Sequence, residues 1–266
     1  MRPHLGRRVK QILFSPKDDW IDPVRERLDA TRFQASFAEF GDVDLTAFDG
    51  IVSLRLTEYA PLRAREKSLN VLIPSRAVVD ITDDKPRFNA WLGSSGFGEF
   101  VPEGGVGMGA FPFIYKKRRD RAGKNSRIVF SAEEQQAFEQ SVDVPDYFKQ
   151  RYVGGRKEYT THFLALNGRV KFGTTVEFSF EDDYFIRGIR EPRNEIVKIE
   201  TPFLAIFCEI LEALGYNGTC CFNYKIENGR PLIFEINPRC GSSLRLDLNP
   251  YIEAYLGALE ERGRAA

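Results

Sequence analysis

The sequence predicts an α/β protein in which a short parallel sheet precedes a set of antiparallel hairpins. Apolar, strand-like runs alternate with helical stretches up to about residue 82, which is typical of parallel strands joined by crossovers. Asn-Gly pairs at Asn167 and Asn228 then mark tight hairpin turns, because both residue types accept positive φ. The chain has 266 residues, of which 42% are hydrophobic and 22 are Phe, so it can bury the core of one or two domains.

In the N-terminal third, short apolar runs predict strands at 9–14, 50–54 and 71–74. A stretch of good helix formers at 22–28 predicts a helix between the first two. We expect these elements to form a small parallel sheet that ends near residue 82.

The remaining two thirds contain stronger turn signals and longer apolar runs. The Gly-rich segment 93–109 is predicted to be a loop, and the basic segment 116–126 to be the turn of a hairpin. The predicted helices are 84–92, 132–140 and 199–214, and the predicted strands are 111–115, 127–130, 148–153, 159–166, 170–180, 219–226 and 231–236.

Charge and composition exclude several classes of protein. Lys and Arg number 38, as do Asp and Glu, so the neutral balance argues against nucleic acid and anionic membranes as partners. No apolar run reaches the roughly 20 residues of a membrane span, and the basic N-terminus lacks the apolar core of a secretory signal. Four Cys and two His lack zinc-site spacing. We therefore expect a cytoplasmic protein with reduced thiols.

The strongest chemical signal lies in segment 232–243, which reads LIFEINPRCGSS. Glu235 and Asn237 lie two residues apart on a strand and so share one face, where their oxygens suit Mg²⁺ shared with nucleotide phosphates. Asn223 faces them across the predicted hairpin, and Arg239 follows in a position to meet phosphate oxygens. The alternative, a solvated hairpin face, explains Glu235 poorly because its neighbours are apolar.

A second signal is the end of the strand at 111–115 and the loop after it. Lys116 and Lys117 are followed by a flexible segment from Gly123 to Ser126, and such a loop can hold phosphates by charge and by backbone N–H groups. A solvated basic loop is the alternative.

A third signal is the segment 150–158. Gln150, Tyr152 and Val153 precede a Gly-Gly turn, and Glu158 follows it. Backbone groups of the apolar pair could bind a purine edge, and the carboxylate could accept hydrogen bonds from ribose hydroxyls. Alone, this signal is weak.

The order and spacing of these three segments resemble the ATP-grasp superfamily, which includes D-alanine–D-alanine ligase, biotin carboxylase and carbamoyl phosphate synthetase. The resemblance covers roughly residues 84–244 and is most specific at the FEINPR sequence of 234–239. It implies an ATP-grasp fold with a shortened N-terminal pre-ATP-grasp α/β domain at 1–82. The ATP-grasp domain would span 83–266, with a small lid subdomain at about 83–153 and a metal-binding subdomain at about 154–266.

The resemblance also implies that Lys116 and Arg239 are catalytic, with Lys116 at the α- and β-phosphates and Arg239 near the transferred phosphoryl group. It implies phosphate contacts by Lys85, Lys116, Lys117 and the loop from Gly123 to Ser126, nucleoside contacts by Gln150, Tyr152, Val153 and Glu158, and metal ligation by Glu235, Asn237 and Asn223.

One position departs from the family. Its first metal ligand lies about twelve residues before Glu235 and is commonly acidic, whereas this sequence has Asn223. A neutral amide binds Mg²⁺ more weakly than a carboxylate does, so the departure puts a two-metal arrangement in doubt.

The function implied by the resemblance is an ATP-dependent ligase that joins a small-molecule carboxylate to an amine or a thiol. The carboxylate would form an acylphosphate with release of ADP, and the nucleophile would then displace phosphate. ATP and Mg²⁺, or Mn²⁺, are the implied cofactors. The alternatives are a catalytically weakened ATP-binding regulator and an ATP-grasp subunit that needs a partner protein. The sequence leaves the oligomeric state undecided, and a homodimer is one alternative.

Several other residues are interpreted as structural. His162 lies among apolar residues and is expected in the core, and Cys240 is expected to pack. The Arg-rich segment 187–193 either binds an anionic substrate or is a solvated loop, and we favour the loop. Ser242 and Ser243 follow the metal strand and are candidates for the substrate end.

Overall fold

The computed structural model of the chain describes residues 8–105, 110–120, 123–189 and 194–265. Its N-terminal part is a parallel sheet in which β1 (Lys10–Phe14) lies between β2 (Phe33–Phe37) and β3 (Gly50–Val52). Helix α1 (Asp18–Arg27) connects β1 to β2. The parallel sheet predicted from the sequence is confirmed.

The strand composition of this sheet differs from the prediction. β2 is an edge strand with mostly half-exposed side chains, so it lacks the apolar signal used to find strands. The predicted strand at 71–74 contributes only an isolated parallel bridge between Ile51 and Val71. Its side chains are buried, but Pro74 has no N–H with which to extend a ladder.

Short helices lead from this sheet to the second half. They are α2 (Tyr59–Arg63), α3 (Arg76–Thr82) and α4 (Lys85–Ser94). The Asp84 carboxylate caps α4 by accepting from the Arg87 N–H at 3.3 Å, and a proline in the first turn suits this start. Helix α4 begins at Lys85, and this placement decides where that side chain lies.

A small antiparallel sheet follows. β4 (Phe113–Lys117) lies between β5 (Arg127–Val129) and β6 (Tyr147–Arg151), and α5 (Ala132–Ser141) connects β5 to β6. The predicted hairpin with a basic turn is thus confirmed, apart from residues 121 and 122, which lie outside the described residues.

The largest sheet is antiparallel, with strand order β11-β10-β7-β8-β9. Both predicted Asn-Gly hairpins are confirmed, with φ of 51° at Asn167 and 51° at Asn228, each followed by a glycine of positive φ. The five strands are β7 (Lys157–Leu166), β8 (Arg169–Ser179), β9 (Asn194–Ile199), β10 (Gly218–Glu227) and β11 (Arg230–Asn237).

The helix predicted at 199–214 is shorter in the structure. Residues 194–199 form β9, and α6 (Leu204–Ala213) begins only after Pro202. The residue before a proline avoids the helical region, so the apolar run is divided into a strand end and a helix.

The C-terminal helix α7 (Leu248–Ala265), for which the sequence reasoning offered no prediction, joins the two large parts of the molecule. Its Tyr251 and Ile252 belong to the same buried cluster as Phe14 of β1 and Leu164 of β7. The Tyr255 hydroxyl donates to the Ile51 carbonyl at 2.6 Å. The parallel sheet is therefore held against the large sheet by α7.

No helix within the described ranges is both long and apolar enough to cross a bilayer.

Candidate functional site

A cavity of about 1210 Å³ lies between the β10–β11 hairpin, the small sheet and the loop after β8. Residues of the N-terminal unit, including Lys17 and Arg55, close one end of it. The structure brings eleven sequence-predicted site residues to its lining: Lys85, Lys116, Gly123, Ser126, Tyr152, Val153, Glu158, Asn223, Glu235, Asn237 and Arg239.

Glu235 lies at the centre of this lining, where β10 and β11 pair. Asn223 is its partner in the antiparallel register, and its amide nitrogen donates to Glu235 Oε1 at 2.8 Å. The amide of Asn237, two residues further along β11, donates to the same oxygen at 3.0 Å. The predicted juxtaposition across the hairpin is therefore present.

Lys85 approaches the other oxygen of this carboxylate from the start of α4. Its Nζ lies 3.1 Å from Glu235 Oε2, and both side chains are largely buried. Burial by itself would raise the pKa of Glu235, but the Lys85 ammonium and the two amide donors lower that pKa to about 2. The carboxylate is ionised throughout the physiological range.

Lys116 reaches the cavity from β4. Its Nζ donates to Gln150 Oε1 at 2.9 Å and lies 4.4 Å from the centre of the Phe234 ring. Burial lowers the pKa of Lys116 to about 8, an effect that the nearby Glu235 partly offsets. This ammonium has an aromatic face and one amide oxygen as neighbours, so an anionic ligand would stabilise it.

The two remaining predicted residues lie outside the cavity lining. The Gln150 amide nitrogen donates to the Pro102 carbonyl at 3.2 Å, which orients the amide oxygen of this buried side chain toward Lys116. Lys117 follows Lys116 on the strand and therefore points to the opposite face, where its Nζ lies 3.6 Å from Asp146 Oδ2. Of the two lysines, the structure brings only Lys116 to the cavity.

The glycine loop, residues 123–126, lines the cavity. Gly123 has φ of 63°, and a Cβ placed there would lie 2.9 Å from the Arg187 carbonyl oxygen. The Ser126 N–H donates to the Gly123 carbonyl at 2.9 Å and closes a turn. Gly123 thus lets the loop pack against the chain that follows β8.

The predicted nucleoside end contains Tyr152 and Val153. The Tyr152 hydroxyl accepts from the Phe185 N–H at 2.7 Å, which ties the segment after β6 to the loop after β8. Lys225 of β10 donates to the Val153 carbonyl at 2.9 Å and to the Gly155 carbonyl at 2.8 Å. The three segments form one wall of the cavity.

Sequence reasoning missed Lys225, although a signal was present. Cys221, Asn223 and Lys225 alternate along β10 and therefore share the face that lines the cavity. Burial lowers the pKa of Lys225 to about 8.

Arg187 contacts Glu158 at the predicted nucleoside end and Asn223 beside Glu235. Its Nε lies 3.1 Å from Glu158 Oε1, one terminal nitrogen donates to Thr160 Oγ1 at 2.7 Å, and the other donates to Asn223 Oδ1 at 2.8 Å. The interpretation of 187–193 as a solvated loop is wrong for Arg187. Its side chain is largely buried against residues of β7 and β10. Residues 190–193 of this segment lie outside the described residues.

The fold of this chain is similar to that of several solved structures. D-alanine–D-alanine ligase from Bacillus anthracis complexed with ATP aligns over 96% of this chain and 100% of its own, at 14% identity and a TM-score of 0.60. Phosphoribosylamine–glycine ligase from Thermotoga maritima aligns over 94% of this chain and 75% of its own, at 13% identity and a TM-score of 0.68.

The chain has the ATP-grasp fold. D-cycloserine synthetase is similar as well, covering 95% of this chain and 99% of its own at 16% identity and a TM-score of 0.62. No protein-family model matches the sequence, and no curated protein matches it.

An ATP-grasp fold implies a divalent cation, and the residues of β11 fit one such ion. Glu235 supplies a carboxylate and Asn237 an amide oxygen, the hard donors that Mg²⁺ takes together with phosphate oxygens and water. Within the described ranges, no group of three or more His, Cys, Asp or Glu could hold a metal. Glu235 and Asn237 therefore supply two protein oxygens to such an ion.

The end of the ATP-grasp cavity beyond Arg239 is polar. The Arg239 guanidinium donates to Asn237 Oδ1 at 3.4 Å and to the Cys240 carbonyl at 3.3 Å. His162 is buried as expected, but its Nε2 lies 2.7 Å from the hydroxyl of Ser243, which lines the cavity. Burial lowers the pKa of His162 to about 3, so the imidazole is neutral at physiological pH.

Proposed function

We propose that this protein is an ATP-dependent ligase that activates a small-molecule carboxylate as an acylphosphate and transfers the acyl group to an amine or a thiol. The observation that carries the proposal is the cluster of Glu235, Asn237, Lys85 and Lys116 in one cavity of an ATP-grasp fold. Several proteins of similar fold are, by name, ligases of amino acids, namely a D-alanine–D-alanine ligase and a phosphoribosylamine–glycine ligase.

The nucleotide would lie along the cavity with its base against Tyr152 and Val153. The carboxylate of Glu158 would accept hydrogen bonds from the ribose hydroxyls. Lys116 and Lys85 would bind the phosphates as fixed cations. A ligase of the same fold that is complexed with ATP supports ATP as the nucleotide.

The reaction would proceed by two displacements. A substrate carboxylate oxygen attacks the γ-phosphorus, the bond to the β-γ bridging oxygen breaks, and ADP leaves with that electron pair. The nucleophile then attacks the acyl carbon, loses a proton and expels phosphate. Catalysis of this kind depends on positioning and on charge stabilisation, which Lys116 and Arg239 provide.

Mg²⁺, held by Glu235 and Asn237, would neutralise phosphate charge when bound. The carboxylate and the nucleophile would occupy the end lined by Arg239, Ser243 and Lys17. Because water would hydrolyse an acylphosphate, we infer that the glycine loop at Gly123 closes over the phosphates.

A second candidate function is an ATP-binding regulator with weakened catalysis. One observation favours it: the position opposite Glu235 is the amide of Asn223 rather than a second carboxylate. Such a protein would bind Mg-ATP without turning it over.

Nucleotide product analysis tests the proposal. Wild type, Glu235→Ala and the control Lys117→Met would be incubated with Mg-ATP and a pool of carboxylates and amines. We expect ADP and phosphate that depend on the pool, abolished in Glu235→Ala and kept in Lys117→Met, whose side chain faces away from the cavity. AMP with pyrophosphate would refute the mechanism, and Mg-ATP binding without turnover would favour the regulator.

A further inference from the structure

On the β10–β11 hairpin, the described cavity lining contains one carboxylate, that of Glu235. Asn223, the register partner of Glu235, turns its amide nitrogen toward that carboxylate at 2.8 Å. Its oxygen consequently faces the other way, where it accepts from Thr160 Oγ1 at 2.7 Å and from Arg187 at 2.8 Å. The oxygen that would have to bind a cation on this side is already engaged by a guanidinium.

Arg187 is held in this position by several contacts. Besides Asn223 and Thr160, it contacts Glu158 at 3.1 Å, and its guanidinium carbon lies 4.4 Å from the centre of the Phe178 ring. Its side chain is 21% exposed, and the exposed part lines the cavity. The planar donors of a guanidinium suit phosphate oxygens.

The fixed charges near Asn223 oppose a metal ion there. Glu235 is already paired with Lys85 and Glu158 with Arg187, while Lys116 adds a further positive charge. A dication on the Asn223 side would gain only a neutral oxygen and would lie beside the Arg187 charge. The β11 side differs, because Glu235 supplies a carboxylate there and the guanidinium contact to the Asn237 oxygen, from Arg239, is longer, at 3.4 Å.

We propose that Arg187 takes the place of a second divalent cation, so that a bound nucleoside triphosphate carries one metal ion, on Glu235 and Asn237, and a guanidinium on its other side. The inference rests on the proposed nucleotide site and specifies how that site neutralises the phosphates. Arg187 would also link the phosphates to the ribose end, since it holds Glu158.

Metal stoichiometry tests the inference without any turnover. The full-length protein would be saturated with a non-hydrolysable ATP analogue, and bound Mn²⁺ would be counted by electron paramagnetic resonance. We expect one Mn²⁺ per chain in wild type and also in Asn223→Asp, whose new carboxylate would pair with Arg187. We expect two in the double variant Asn223→Asp/Arg187→Met. Two Mn²⁺ in wild type, or one in the double variant, would overturn the inference.

Analogue affinity gives an independent check and separates the two proposals. Arg187→Met should weaken binding by about tenfold or more, as the loss of a charged hydrogen-bond donor does. The matched control Arg156→Met, which removes an exposed guanidinium paired with Asp183 near the same loop, should leave binding unchanged. If wild type does not bind the analogue, the proposed function fails and the inference with it. If the analogue binds tightly with two Mn²⁺, only the inference fails.

Discussion

The cavity has two walls that are built in different ways. On the strand wall, Asn223, Glu235 and Asn237 are positioned by one antiparallel ladder, and their contacts connect residues at most twelve positions apart. On the loop wall, Gly123 packs against the Arg187 backbone, and Arg187 returns to Thr160 and Asn223. Backbone pairing fixes the first wall locally, whereas the second depends on contacts between distant segments.

This difference has a consequence for function. The strand wall is held by backbone pairing and carries the Glu235 carboxylate, so we expect it to contribute most to catalysis. The loop wall carries cations and a glycine turn, so we expect it to govern how the cavity closes and how tightly nucleotide binds. Three predictions test this division, beginning with the largest expected effect.

Glu235→Gln should lower ligase turnover by about a thousandfold, the upper range for loss of one preorganised electrostatic group. The amide keeps the shape of the side chain but removes the charge that pairs with Lys85 at 3.1 Å. Steady-state ADP formation measures the effect, with Lys117→Met as a control that should stay within about twofold. Turnover of Glu235→Gln close to wild type would remove the strand wall from catalysis.

Nucleotide affinity should depend on pH through Lys116. Burial lowers its pKa to about 8 in the free protein, and phosphates would raise that pKa on binding. Binding above pH 8 therefore takes up a proton, so affinity should be constant below pH 8 and fall by up to about tenfold per pH unit above it.

The pH dependence is measured as the dissociation constant of the ATP analogue between pH 7 and 9.5. Lys116→Met should bind more weakly and give a flat profile. Lys225→Met is the comparison, because burial lowers the pKa of Lys225 to about 8 as well, at the base end of the cavity. A flat profile in Lys225→Met together with an unchanged slope in Lys116→Met would contradict the prediction. The pH dependence would then come from the base end of the cavity and not from the phosphate end.

Gly123→Ala should lower turnover by about three- to tenfold, the smallest of the three effects. The added Cβ would lie 2.9 Å from the Arg187 carbonyl, and φ of 63° is strained for alanine by roughly 1 kcal/mol or more. The thermal midpoint should fall by only a few degrees, since about 1 kcal/mol corresponds to roughly 2–4 °C in a chain of this size. Gly154→Ala, which has open space around its Cβ position and no positive φ, is the matched control. Equal losses in both variants would contradict a closing role for the glycine loop.

The fold and the strand wall were largely predictable because their signals are local. Positive φ at Asn167 and Asn228 follows from residue type, and the shared face of Glu235 and Asn237 follows from strand periodicity. The elements that were missed give weak local signals. β2 is a half-exposed edge strand, and the helical pattern of α7 becomes meaningful only where Tyr251 and Tyr255 pack against β1 and β3.

The sequence by itself determined that two hairpins follow a parallel sheet, and that one carboxylate and two amides meet across the second hairpin. Tertiary structure alone decided which of Lys116 and Lys117 faces the cavity and that Lys225 lines it. It also decided that the group hydrogen-bonded to the Asn223 oxygen is Arg187. Strand periodicity says which side chains share a face, but only packing says what that face meets. The contacts of Arg187 connect segments 27 to 36 residues apart through a loop that carries no periodic signal.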